Sequence, residues 1–115
     1  MAAKKSKAKS RVARKAKAKE YVIVRCTQAG VHAGYLEKQT AGHLVLTSAR
    51  RIWYWSGAAS LSEIAVYGLN PAKSSASKIA ACVSRVQLRQ SDVCEVLACT
   101  NEGRASVEGS AVWRA

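Results

Sequence analysis

Apolar positions in this chain come in short runs of β-branched and aromatic residues, separated by glycines and brief polar stretches. Tyr21-Val22-Ile23-Val24-Arg25-Cys26 predicts a strand, because it is short and rich in residues that fit a pleated surface. Gly30, Gly34 and Gly42 then punctuate two further extended pieces, residues 31–37 and 43–48. The second leads directly into Arg51-Ile52-Trp53-Tyr54-Trp55, a fourth strand, so this half of the chain reads as an antiparallel meander.

The spacing next becomes helical. Ser60-Leu61-Ser62-Glu63 has the capping-box pattern, in which Ser60 accepts from an amide three residues on and Glu63 reaches back to the Ser60 amide. Leu61, Ile64, Ala65 and Val66 form an apolar face and Gly68 a stop before Asn70-Pro71, which predicts a helix of about two turns. Residues 72–78 read as a polar surface loop. Two more extended runs follow, residues 79–88 and 93–99, with Arg89-Gln90-Ser91-Asp92 as a hairpin turn between them. Thr100 and Glu102 mark a second helix start, made short and weak by Gly103 and Gly109, and Val112-Trp113-Arg114 reads as an edge strand. The fold class expected is α+β: a small, mainly antiparallel sheet with one or two short helices, as a single domain over residues 21–115.

Charge changes this picture at one end only. Residues 1–20 carry Lys4, Lys5, Lys7, Lys9, Arg11, Arg14, Lys15, Lys17 and Lys19 against a single acid, Glu20, with little apolar beyond alanine. Such a segment buries too little surface to offset the entropy of ordering, so a disordered basic tail is expected. Those nine cations suit phosphate backbones without sequence preference, in a salt-sensitive way; a solubilising extension is the other reading. No aromatic precedes Tyr21, so the tail has nothing to stack on bases. The chain has no apolar run long enough for a membrane span and no secretory apolar stretch at its start, which points to a soluble protein of a cytoplasm.

Catalytic and metal chemistry find little support. The acids after residue 20 are scattered as Glu37, Glu63, Asp92, Glu95, Glu102 and Glu108, with no pair spaced for acid/base work. Phosphate-binding loops, dinucleotide fingerprints and nucleophile elbows are absent from the sequence. Cys26, Cys82, Cys94 and Cys99 lack metal-finger spacing and read as small buried thiols in a reducing compartment. A non-enzymatic protein with no cofactor and no metal is expected.

The densest chemistry is the segment from Arg50 to Ala59. Trp53 and Trp55 are two apart and would share one face of a strand, either covering the helix of Leu61 and Ile64 as core or lining a ligand pocket. Arg50 and Arg51 are adjacent and point to opposite faces, each either solvated or placed to grip a phosphate beside flat rings. Arg85 and Arg89 can contribute from another strand, and Asn70 is either a turn residue or a base-reading amide.

The pattern Tyr21-Val22-Ile23-Val24-Arg25, Ala29-Gly30-Val31, Gly34, Val45-Leu46, Ala49-Arg50-Arg51-Ile52-Trp53-Tyr54-Trp55-x-Gly57-Ala58, Leu61-Ser62-x-Ile64-Ala65 and Gly68 resembles a family of small phage-encoded proteins of unknown function, over residues 21–113. The same group is similar to the Thoeris anti-defence sponges, which bind cyclic ADP-ribose-type signals in pockets between subunits with arginines, aromatics and an asparagine. That resemblance implies a homo-oligomer in host cytoplasm that sequesters a nucleotide-derived immune signal, with Arg50, Arg51, Trp53, Trp55, Asn70, Arg85 and Arg89 as the ligand-binding set. The tail lies outside it and favours the other expectation, a nucleic-acid-associated phage protein, a virion or DNA-packaging component tethered by its basic residues.

Overall fold

A computed structural model describes residues 19–115, so the basic tail up to Lys17 lies outside the described residues. The chain forms strands β1 (Tyr21–Cys26), β2 (Val31–Gln39) and β3 (His43–Tyr54), helix α1 (Leu61–Tyr67), strands β4 (Lys78–Ile79), β5 (Val83–Arg89) and β6 (Val93–Ala98), and helix α2 (Asn101–Glu108). All six strands belong to one antiparallel sheet in the order β4-β3-β2-β1-β6, with β5 also on β3. The α+β expectation therefore holds for the described residues.

Several elements differ from the sequence reading. Residues 43–48 and 51–55 are not two strands but one, β3, which runs through an irregularity where Ser48 takes φ 50. Opposite it the β2 register shifts at Gly34, where an added Cβ would sit 3.0 Å from the Thr47 carbonyl oxygen and 3.1 Å from the Ala49 Cα. Residues 79–88 are interrupted: β4 and β5 both line one edge of β3, with a break at Ala80–Cys82. Arg89–Asp92 is no hairpin turn, because β5 pairs with β3 whereas β6 pairs with β1 at the opposite edge.

A short 3-10 turn, Gln90–Asp92, joins those two edges, and only curvature makes this possible. Neighbouring strands stand about 4.8 Å apart, so a flat sheet would hold β1 and β5 out of contact. Here Val22 and Val24 of β1 pack with Leu44, Leu46 and Ala49 of β3 and Leu88 of β5. The bend at Gly34 and Ser48 coils the sheet onto its own face, as bulges do. Its other face carries Tyr21, Ile23, Ala33 and Ile52 and is covered by Leu61, Ile64 and Ala65 of α1 and Val107 of α2. Both faces of β1 are thus buried, which explains its unbroken apolar run.

Helix α1 starts as its sequence predicts, with the Ser60 hydroxyl accepting from the Glu63 amide at 3.2 Å, and stops at Gly68, φ 79. The Glu63 carboxylate, however, takes the amide of Ala59 rather than that of Ser60. Val66 is exposed and adds nothing to the buried face. Thr100 caps α2 as expected, accepting from Gly103 at 3.0 Å. Gly103 is a packing residue rather than a weak point: a Cβ there would lie 2.0 Å from the Ala65 carbonyl oxygen, so α1 and α2 touch backbone to backbone. Residues 112–114 form no strand, although the Trp113 amide donates to the Ile79 carbonyl at 2.9 Å and covers the β4 edge.

Candidate functional site

β3 separates its two arginines as strand alternation requires. Arg50, opposite Ala33, points to the helical face and is 4% exposed. Its Nε donates to Ala80 O at 2.8 Å, Nη1 to Val107 O and Ser110 O at 2.8 Å each, and Nη2 to Ile79 O at 3.2 Å and Ala111 O at 3.4 Å. Nη1 also reaches Glu108 O at 3.4 Å, so the five N–H donors are shared among six carbonyls and none is left for a phosphate. The cation sits where the carbonyls at the end of α2 concentrate negative charge, which stabilises it there. Burial lowers its pKa, yet a guanidinium stays charged at any physiological pH. The ligand-binding role expected of Arg50 is thus replaced by a structural one.

Arg51 occupies the other face, opposite His32. Its Nη2 donates to Ala29 O at 2.7 Å, and its guanidinium carbon lies 5.0 Å from the centroid of the Trp53 ring. Among the described residues Nε and Nη1 have no protein acceptor. Trp53 is 59% exposed, so one indole face is open to solvent beside a positioned cation. His32 Nε2 donates to the same Ala29 carbonyl at 2.9 Å. Burial pushes the His32 pKa down, with Arg51 adding to that fall, so the imidazole is neutral and supports the loop without competing for an anion.

The two indoles part company. β3 ends at Tyr54 and the chain turns at Gly57, φ 96, so Trp55 packs against the helix-covered core and donates from Nε1 to Ala58 O at 3.2 Å. Trp53 is the ligand-facing candidate and Trp55 a core residue, on different sides. Asn70 is a turn residue: its Oδ1 accepts from the Ala72 amide at 3.0 Å. Arg85 and Arg89 alternate with Val86 and Leu88 along β5 and are exposed on the side away from the strand-lined core.

What the sequence reading missed is the loop between β1 and β2. Asp92 clamps it, each carboxylate oxygen accepting at 2.9 Å, from Gln28 N and Ala29 N. Two open concavities lie along it, and a third adjoins the second at Arg51. One, about 440 Å³, lies between Gln28, Arg89, Ser91 and Asp92. A second, about 250 Å³, includes Gln28, Gly30, Arg51 and Trp53. The third, about 290 Å³ and more apolar, includes His32, Arg51, Ala81 and Val83. Gln28 links the first two and Arg51 the last two. In the sequence, Gln28-Ala29-Gly30 registered only as a strand break, and Asp92 only as part of a turn.

No disulfide joins the four cysteines, and they are not uniformly buried as expected: Cys82 and Cys94 are exposed and Cys26 is buried. Burial raises the pKa of Cys26 and pushes that of Cys99 up to about 11, which makes both poor nucleophiles. Among the described residues no three His, Cys, Asp or Glu side chains gather into a metal site, and no helix is long and apolar enough to cross a membrane. Of the tail cations only Lys19 is described, paired with Glu37 of β2 at 2.6 Å.

No curated protein and no solved structure matches the chain. A family model does match it, over residues 19–107, which takes in the whole sheet, α1 and nearly all of α2. The chain belongs to the family described as a domain of unknown function, DUF6948.

Proposed function

We propose that this domain binds single-stranded nucleic acid without transforming it, stacking a base on Trp53 while Arg51 holds the adjacent phosphate. The observation that carries this reading is the Arg51–Trp53 pair, 5.0 Å apart, at the middle of three linked open concavities with Arg89 at one end. Pockets that enclose small molecules run from about 300 to 1,000 Å³ and bury most of the ligand. The concavity at Trp53 is smaller than that and open, which suits one unit of an extended strand. Base stacking on an aromatic and a phosphate on a guanidinium need no enclosure. The cations of the tail add sequence-independent attraction.

The second reading is sequestration of a cyclic ADP-ribose-type signal, which the resemblance implies. The same Arg51 and Trp53 would serve it, but the remainder of the enclosure would have to come from a second copy.

Titrating tryptophan fluorescence with oligodeoxythymidylate, and calorimetry with cyclic ADP-ribose isomers, separates the two. Strand binding is expected to quench Trp53, to weaken steeply with salt, and to fall about tenfold in Trp53→Ala. Unchanged affinity in Trp53→Ala and Arg51→Ala, or no binding at low salt, overturns the site. Heat from a cyclic ADP-ribose isomer without oligonucleotide binding selects the second reading.

A further inference from the structure

β3 has a second irregularity, at its end. Ile52 pairs with Ile79 of β4 and Tyr54 with Lys78, so β3 advances two residues where β4 advances one, and Trp53 is the extra residue of a β-bulge. Paired residues point to the same face of a sheet, and Ile52 and Ile79 both point into the helix-covered core. Lys78, next to Ile79, therefore points to the other face, and Tyr54 goes with it. In a regular strand Tyr54 would follow Ile52 into the core. The same slip explains why Trp55, two residues beyond Trp53, lies against the core instead.

The bulge thus sets two consecutive aromatic rings on the face that carries Arg51. Trp53 is 59% exposed and Tyr54 52%. Each has a cation beside it: Arg51 at the Trp53 ring, and Lys78 opposite Tyr54 on the ladder. The Lys78 ammonium is steadied 5.4 Å from the centroid of the Trp113 ring, and among the described residues no carboxylate pairs with it. From this we infer that Tyr54 and Lys78 form a second nucleotide subsite: one base of a single strand lies on Trp53, the next on Tyr54, and Lys78 meets the phosphate of the second. The inference rests on the strand-binding reading above and extends its path across β3 toward β4, away from β2 and the Gln28 loop. A base with its phosphate fits this pair because stacking needs only an open ring face and the phosphate a nearby cation. A saccharide also lies on aromatic rings, but the groups flanking these two are cations, which give its hydroxyl protons no acceptor.

The test is photo-cross-linking of the full chain to an oligodeoxyuridylate carrying iodouracil, with the modified residues located by mass spectrometry, alongside anisotropy titrations of a labelled strand. Wild-type protein is expected to cross-link at both Trp53 and Tyr54, a readout that needs no variant. Tyr54→Ala is expected to bind about tenfold more weakly, and Tyr54→Phe, which keeps the ring face, to bind as wild type does. Lys78→Ala is expected to reduce the slope of log affinity against log salt by about one. Cross-links confined to Trp53, or a Tyr54→Ala affinity equal to wild type while Trp53→Ala is weakened, overturns the second subsite and leaves the first standing. Tyr54→Phe as weak as Tyr54→Ala overturns stacking at this position. Wild-type protein that binds no oligonucleotide overturns both subsites together.

Discussion

Arg50 and Arg51 are neighbours with identical chemistry, and β3 sends them into opposite environments. Their adjacency already implied opposite faces, but which face is buried follows from α2 closing over one of them. Arg50 ties the end of α2 to β4 through a planar fork that lysine cannot reproduce. Arg50→Lys is therefore expected to lower stability by about 2–3 kcal/mol, read from urea midpoints, because several buried carbonyls lose their donors. Arg51→Lys is expected to leave those midpoints nearly unchanged while weakening strand binding. His32 gives a pH dependence whose sign follows from its lowered pKa. An unfolded imidazole protonates near pH 6.5, whereas the folded one resists until lower pH. Stability is thus full above pH 6.5 and falls as pH drops below it, levelling once the folded imidazole itself protonates. His32→Gln is expected to flatten that part of the curve in urea melts taken between neutral pH and about pH 5.

At the level of elements, local signals named most strands and both helix starts, because caps and strand patterns act over a few residues. Ser60 and Thr100 cap as their sequences predict. Gly103 was misjudged for a physical reason: propensity counts its entropy, but nothing local reveals that Ala65 of another helix lies against it. Gly103→Ala places a methyl group 2.0 Å from a carbonyl oxygen and must drive the helices apart. The expected loss is roughly 3 kcal/mol, visible as a lower thermal midpoint, where a solvent-facing Gly→Ala in a helix would instead stabilise. The hairpin expected at Arg89–Asp92 failed similarly. Turn chemistry says that the chain reverses there, not which strand receives it.

For the whole molecule, removing residues 2–18 separates tail from domain. The thermal midpoint is expected to change little, since the described packing begins at Lys19 and Glu20, whose carbonyl accepts from Leu36 N at 2.7 Å. Oligonucleotide affinity is expected to fall at low salt and its salt dependence to become shallower, as fewer counterions are released. A truncated chain whose salt slope is unchanged would show that the tail takes no part.

By itself the sequence determined the α+β class, the caps, the strand at Tyr21–Cys26 and the placing of Arg50 and Arg51 on opposite faces of a strand. Each rests on interactions within a few residues or on side-chain periodicity. Tertiary structure alone decided that Arg50 is buried, that Trp53 and Trp55 lie on different sides, that β5 and β6 join opposite edges, and that Gln28 and Asp92 shape the surface around Arg51. Those outcomes depend on how far the sheet coils at Gly34 and Ser48, and coiling brings together residues distant in sequence, which no local pattern encodes.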